Sequence, residues 1–208
     1  MFMKKLLSLL ILLNISCLIA RSQDAQGILD KSAAKVQAAK GINLSFSLTQ
    51  KDKSNQVVSS TKGVLKIKGT KYYIKEDNNE IFCNGVQIWN YDGDNEVTVT
   101  KVDNDDDELS PQQIITGFNK KDFDIKLISS KGATYQIELV PVDKRKNFKR
   151  VMLYVNKTTN LITKAAITDK TNAITEINFS TISLNATLPD SQFVFDAAKH
   201  PGIEVVNE

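Results

Sequence analysis

Apolar residues recur every three or four positions at Ala25, Ile28, Leu29, Ala33 and Val36, the spacing of one stripe along an α-helix. Asp24 is placed to cap that helix at its start, and Gly41 to stop it after Lys40. From Ile42 the period changes to two. Ile42, Leu44, Phe46 and Leu48 fall on one side, and Asn43, Ser45, Ser47 and Thr49 on the other, as in a strand with one dry face. Similar runs follow at Val57–Lys68, Lys71–Glu76, Glu80–Cys83, Val86–Tyr91 and Glu96–Val102. After residue 120 the pattern resumes in Phe123–Ser129, Thr134–Val140, Phe148–Asn156, Leu161–Asp169 and Ala173–Thr181, and a last short strand is expected at Phe193-Val194-Phe195. The connections read as hairpins. Asn84-Gly85 is a two-residue type I′ signal, and Asp92-Gly93-Asp94-Asn95 is another tight reversal.

Eleven such strands and the short last one, without βαβ spacing, imply one antiparallel sheet, and a sheet that long must curl. Val57–Lys68 is a candidate exposed edge. One helix interrupts the series. Ser110-Pro111-Gln112-Gln113 has the residues of a capping box, with Ile114, Ile115 and Phe118 as an apolar side and Gly117 near the end. A curled sheet of this size encloses more volume than its own side chains need, since about eight strands already make a barrel that side chains can fill. Spare apolar volume suggests a ligand.

Charge changes the picture at the N-terminus. The chain of 208 residues carries 27 basic and 24 acidic side chains. Lys4, Lys5 and Arg21 lie in the first 22 residues, which hold no acid, so the remainder is neutral. A neutral body argues against nucleic acid as a partner. Met1–Lys5 followed by the apolar run Leu6–Ala20, with small residues Ala20 and Ser22 before Gln23, reads as a signal peptide over residues 1–22. The expected product is an exported, soluble domain over residues 23–208. Lipid-modified Cys17 is the alternative, although Asn14 fits a lipobox poorly. Cleavage leaves Cys83 alone, so no internal disulfide can form, and its strand context reads as a small buried hydrophobe.

Polar clusters supply little chemistry. The acidic run Asp103, Asp105, Asp106, Asp107 and Glu108 lacks the glycine and distal glutamate of an EF-hand and reads as a solvated loop. Lys144, Arg145, Lys146, Lys149 and Arg150 cluster at a predicted hairpin, where they could face anionic lipid or an acidic partner, or simply water. His200 is the only histidine, and no serine or cysteine sits in a nucleophile motif. The residues therefore argue against an enzyme and assign neither cofactor nor metal.

The hairpin from Asn79 to Asp92, containing Asn84-Gly85 and Trp89-Asn90-Tyr91, followed by Glu96-Val97-Thr98, resembles a hallmark of the LolA family of periplasmic outer-membrane lipoprotein carriers. Gly63-Val64-Leu65-Lys66-Ile67-Lys68, the strand ending Thr49-Gln50-Lys51, the Ser110-Pro111 helix, Leu139-Val140-Pro141, Phe193-Val194-Phe195 and Pro201-Gly202-Ile203-Glu204-Val205 are also similar to that family. The resemblance implies a mainly β fold, a single incompletely closed antiparallel β-barrel whose apolar cavity is covered by helices acting as a lid. It further implies a monomeric periplasmic carrier of acylated lipoprotein, loaded by an inner-membrane ABC-type complex and unloaded at an outer-membrane receptor, without a cofactor. Strand parity and lid position select Leu44, Phe46, Leu65, Ile67, Tyr72, Ile74, Trp89, Ile114, Ile115 and Phe118 as lipid-binding residues. In the enterobacterial type an Arg-Pro pair after the equivalent of Lys68 helps tether the lid, whereas Gly69-Thr70 stands here. A carrier of another lipid or glycolipid, and an envelope-stress sensor of the same fold, are the alternative readings.

Overall fold

The structure, a computed structural model, describes residues 25–102, 109, 114–115, 117–118 and 121–208. The expected signal peptide, Asp24, the acidic run and the expected Ser110 capping box therefore lie outside the described residues. Helix α1 covers residues 25–37. It is followed by β1 (Ile42–Lys51), β2 (Val57–Lys68), β3 (Lys71–Glu76), β4 (Asn79–Cys83), β5 (Gln87–Tyr91) and β6 (Glu96–Lys101). Ile114 and Ile115 are helical. The second series is β7 (Phe123–Ser129), β8 (Thr134–Pro141), β9 (Phe148–Asn156), β10 (Ile162–Asp169) and β11 (Ile174–Ser183), and β12 (Glu204–Asn207) closes the chain.

Among the described residues all twelve strands form one sheet in the order β12-β6-β5-β4-β3-β2-β1-β11-β10-β9-β8-β7. Every named pairing is antiparallel except β12 on β6, which is parallel. The terminal strands β12 and β7 do not pair with each other, so the sheet stays open. Chain-adjacent strands are neighbours within each series, and the two series meet where β1 pairs β11, for example Phe46 with Phe179 and Leu48 with Ile177. β2 is a central strand held between β1 and β3, not the exposed edge expected of Val57–Lys68.

Alternation sends Leu44 and Phe46 of β1, Leu65 and Ile67 of β2 and Ile74 of β3 into one buried cluster. From the second series come Ile137, Leu139, Val151, Leu153 and Ile177. α1 lies on this face, burying Ala25, Ile28, Leu29 and Val36 in the same cluster. These are stripe positions read from the sequence, so the helix forms because one of its sides has a sheet to cover.

The other face of β3–β6 also carries apolar side chains, among them Phe82, Trp89, Val97 and Val99. After β11 the chain runs across it as a strap. Leu188, Phe193 and Phe195 are buried, Phe193 completely, and Phe82 meets the Phe195 ring edge-on at 5.8 Å. His200 stacks on Phe195 at 4.8 Å and approaches Tyr91 at 4.7 Å. Val97 and Val99 are buried on that side as well. The expected strand at Phe193–Phe195 is thus a 3-10 turn over Asp190–Phe193 followed by unpaired chain, because its two phenylalanines plug the outer face instead of joining a ladder. The strap's last piece is β12, an element the sequence reading lacked.

The strap is clamped. Lys68 donates to the Leu188 carbonyl and to Asp190, each at 2.9 Å, and Lys71 reaches the other Asp190 oxygen at 2.9 Å. Gly69 takes φ +59° in the turn between the two lysines, so Gly69-Thr70, standing where the resemblance expected Arg-Pro, serves a hairpin that holds the C-terminal strap. The two ammonium groups hold the Asp190 carboxyl at about 2, below its ordinary 3.8. A depressed folded-state value contributes stability that is present above about 3.8 and is lost as pH falls through about 2. Asp190→Asn accordingly lowers the thermal midpoint slightly at pH 7. Its gap from the wild type narrows between about pH 4 and pH 2, which a pH series of melting curves measures.

Candidate functional site

The candidate site is the concave face beneath α1. Of the ten residues selected by parity, Leu44, Phe46, Leu65, Ile67, Ile74, Ile114 and Ile115 meet in the buried cluster, and Tyr72 and Phe118 are partly buried against it. Phe118 lies edge-on to Phe123 at 5.4 Å, and Phe123 stacks on Phe148 at 6.2 Å. This short aromatic ladder ties the segment after the second helical stretch to β7 and β9.

Trp89 is the exception. It pairs with Phe82 and Val99, and Phe82 pairs with Tyr73, so these side chains share the face opposite Tyr72 and Ile74. The turn explains the register. Asn84 N donates to the Gln87 carbonyl at 3.2 Å, while the Asn84 carboxamide oxygen accepts from Val86 N and Gln87 N, each at 2.9 Å. Gly85, at φ +91°, and Val86 form the turn, one residue later than the Asn84-Gly85 expectation. Trp89 belongs with Phe82 and Tyr73 on the strap side. Trp89→Phe is therefore expected to leave acyl-chain uptake within about two-fold of the wild type, as measured by titration with a fluorescent fatty acid.

Residues that parity did not select complete the face. Ile81 packs against the cluster, and Cys83, opposite Tyr72, is buried with its thiol pushed up by desolvation, as expected of a small hydrophobe. Most of the missing lining comes from β8–β11, whose period-two pattern was equally visible in the sequence. A cavity of about 650 Å³ opens where the ends of β3–β6 meet, lined by Thr70, Tyr72, Cys83, Gly85, Val86, Gln87, Lys101 and Val102. Tyr72 and Cys83 belong to the concave side, so this opening adjoins the core.

The site is electrostatically quiet. The ion pair of β3 and β4 sits on the outer face, where Glu80 accepts from Tyr73 and Lys75, each at 2.7 Å. Burial and then the hydrogen bond to Glu80 raise the Tyr73 hydroxyl. Burial pushes the Glu80 carboxyl up, but its two donors more than offset this and leave it below the ordinary carboxylate value. Among the described residues no group of three or more His, Cys, Asp or Glu side chains stands close enough to hold a metal ion. What this face offers a ligand is apolar contact beneath α1.

An open half-barrel with a helix laid on its apolar concave side defines the class of fold. The chain belongs to the outer membrane lipoprotein carrier protein LolA family, whose model matches residues 37–196. A protein of Nitrosomonas europaea named outer-membrane lipoprotein carrier protein is 28% identical over 182 residues, covering 83% of this chain and 85% of its own. Among solved structures, an uncharacterised conserved protein of Thermus thermophilus has a TM-score of 0.59 at 11% identity, covering 89% of this chain and 99% of its own, and shares the fold. A LolA-superfamily protein of Nitrosomonas europaea aligns at 15% identity with a TM-score of 0.45, over 82% of this chain and 97% of its own.

Proposed function

We propose that the protein is a periplasmic carrier that holds the acyl chains of lipoproteins against its concave face and carries them from the inner to the outer membrane. On this reading an inner-membrane ABC-type complex loads it, and an outer-membrane receptor or the membrane itself receives the cargo. The observation that carries the reading is the continuous apolar face shared by α1 and both strand series, in a chain of the carrier family.

The energies are compatible with exchange. Lifting α1 exposes Ile28, Leu29 and Val36, at roughly 1.5–3 kcal/mol each, or about 5–9 kcal/mol together. An acyl chain of about 15 methylenes recovers roughly 12 kcal/mol when withdrawn from water. The tail therefore recovers more than lifting the helix costs, so α1 can open, admit it and close over it. The empty protein stays closed and the loaded one stays soluble.

The test is to isolate the protein from its native periplasm and analyse what accompanies it. Copurifying acylated protein, together with uptake of a fluorescent fatty acid by stripped material, is the expected result. Lipid-free protein that also fails to take up the fatty acid overturns the reading.

A further inference from the structure

We infer that Ser32 is the polar contact of the acyl-binding face, donating its hydroxyl to the carbonyl where an acyl chain joins its carrier molecule. The inference rests on the carrier reading and assigns one residue of the lid a role in selecting cargo.

Ser32 lies in α1 four residues after Ile28 and four before Val36, on the stripe that covers the sheet. Its relative exposure is 1%. Its Oγ is the one buried side-chain oxygen or nitrogen among the described residues without a hydrogen-bond partner. In a helix a serine hydroxyl can satisfy itself on the carbonyl four residues back, and this one does not. A buried hydroxyl left unpaired is costly, and native proteins leave few of them. Alanine, with the better helix propensity, would fill the position without that cost, and neighbouring Ala33 and Ala34 show that alanine suits this part of the helix.

The site beneath α1 is otherwise apolar, with Ile28, Leu29 and Val36 around the hydroxyl on the helix and Ile114 and Ile115 in the same cluster. A pure hydrocarbon tail gives such a donor nothing. An acyl chain differs from an alkyl chain by one carbonyl oxygen at its head, an acceptor without a proton of its own, and the unpaired Ser32 hydroxyl on the covering helix is a donor left to meet it. The closed, empty protein bears an unpaired hydroxyl, and loading supplies the missing acceptor, so the same group weakens the empty state and strengthens the loaded one.

The test uses two single-chain lysophosphatidylcholines that differ only in the linkage, 1-palmitoyl with an ester carbonyl and 1-O-hexadecyl with an ether. An N-palmitoyl peptide adds an amide carbonyl. Each is titrated below its micelle concentration against displacement of a fluorescent fatty acid from the full chain as the cell processes it. The wild type is expected to prefer the ester to the ether by about five-fold, the worth of one buried hydrogen bond. Ser32→Ala brings that ratio to one by weakening the ester alone, and Ser32→Thr, which keeps a hydroxyl, restores it. The amide arm tells whether the contact reads any acyl carbonyl or the ester only. A ratio of one in the wild type overturns the inference while leaving the carrier reading intact. So does a ratio that Ser32→Ala does not change, even if that variant melts higher. Failure of both lipids and of the fatty acid to bind overturns both.

Discussion

Gly63→Ala is expected to lower the thermal midpoint by roughly 6–12 °C, the shift that about 3 kcal/mol produces in a domain of this size. Gly63 pairs with Phe46 across β1 and β2. A Cβ built there would stand 2.4 Å from the Phe46 ring and 2.3 Å from the Lys75 carbonyl oxygen. The ring can swing, but the carbonyl belongs to β3, which pairs β2 on its far side, and moving it disturbs that ladder. Phe46 is displaced from the face proposed to bind tails, so uptake of a fluorescent fatty acid falls with stability. Circular dichroism melting curves read the first effect, and a shift under about 2 °C would show that the strands yield without strain.

Phe193→Ala is the second large effect, with the opposite signature for function. Phe193 is wholly buried at the foot of the strap, and its 3-10 turn packs on β3 and β4. Removing a fully buried phenylalanine costs about 3–5 kcal/mol through lost transfer energy and the cavity left behind. The expected fall in midpoint is roughly 6–20 °C. Acyl uptake measured well below the new midpoint stays near that of the wild type, because the cavity forms on the face opposite Leu65 and Ile74. Uptake lost in proportion to Gly63→Ala would mean that the two faces of the sheet are one functional unit.

Most of the sheet was legible because period two is a local signal. β2, β3, β7 and β9 match the expected bounds, since each begins and ends at turn residues the chain announces. The selection of Leu44, Phe46, Leu65, Ile67 and Ile74 as one face succeeded for the same reason, with short hairpins that fix which neighbours align. Trp89 was misplaced although the alternation carried across from Ile74 through Ile81 to Asn90 already puts it on the opposite face, whether the β4–β5 turn centres on Asn84-Gly85 or on Gly85-Val86. Asn84, strongly suggestive of a turn centre, acts instead as the acceptor that closes it. The strap was illegible for a different reason. Phe193 and Phe195 alternate with Val194 as a strand would, and nothing local reveals that they cover apolar side chains of the other face, Val97 and Val99 among them. Nor does β12 carry a pattern of its own: it is four residues long, and its place is set by β6.

The meeting of β1 with β11 also governs the order in which the protein can be made. Ser45 faces Ser180 and Gln50 faces Thr175, so this junction closes a loop containing nearly the whole domain, whereas every hairpin on either side closes within a few residues. Contacts so distant along the chain are the slow ones to form. The ladder from β1 to β6 is therefore complete, with the outer margin of β1 still bare, well before its final neighbour arrives. A newly made chain must survive that interval with an unzipped flank that any extended peptide could borrow.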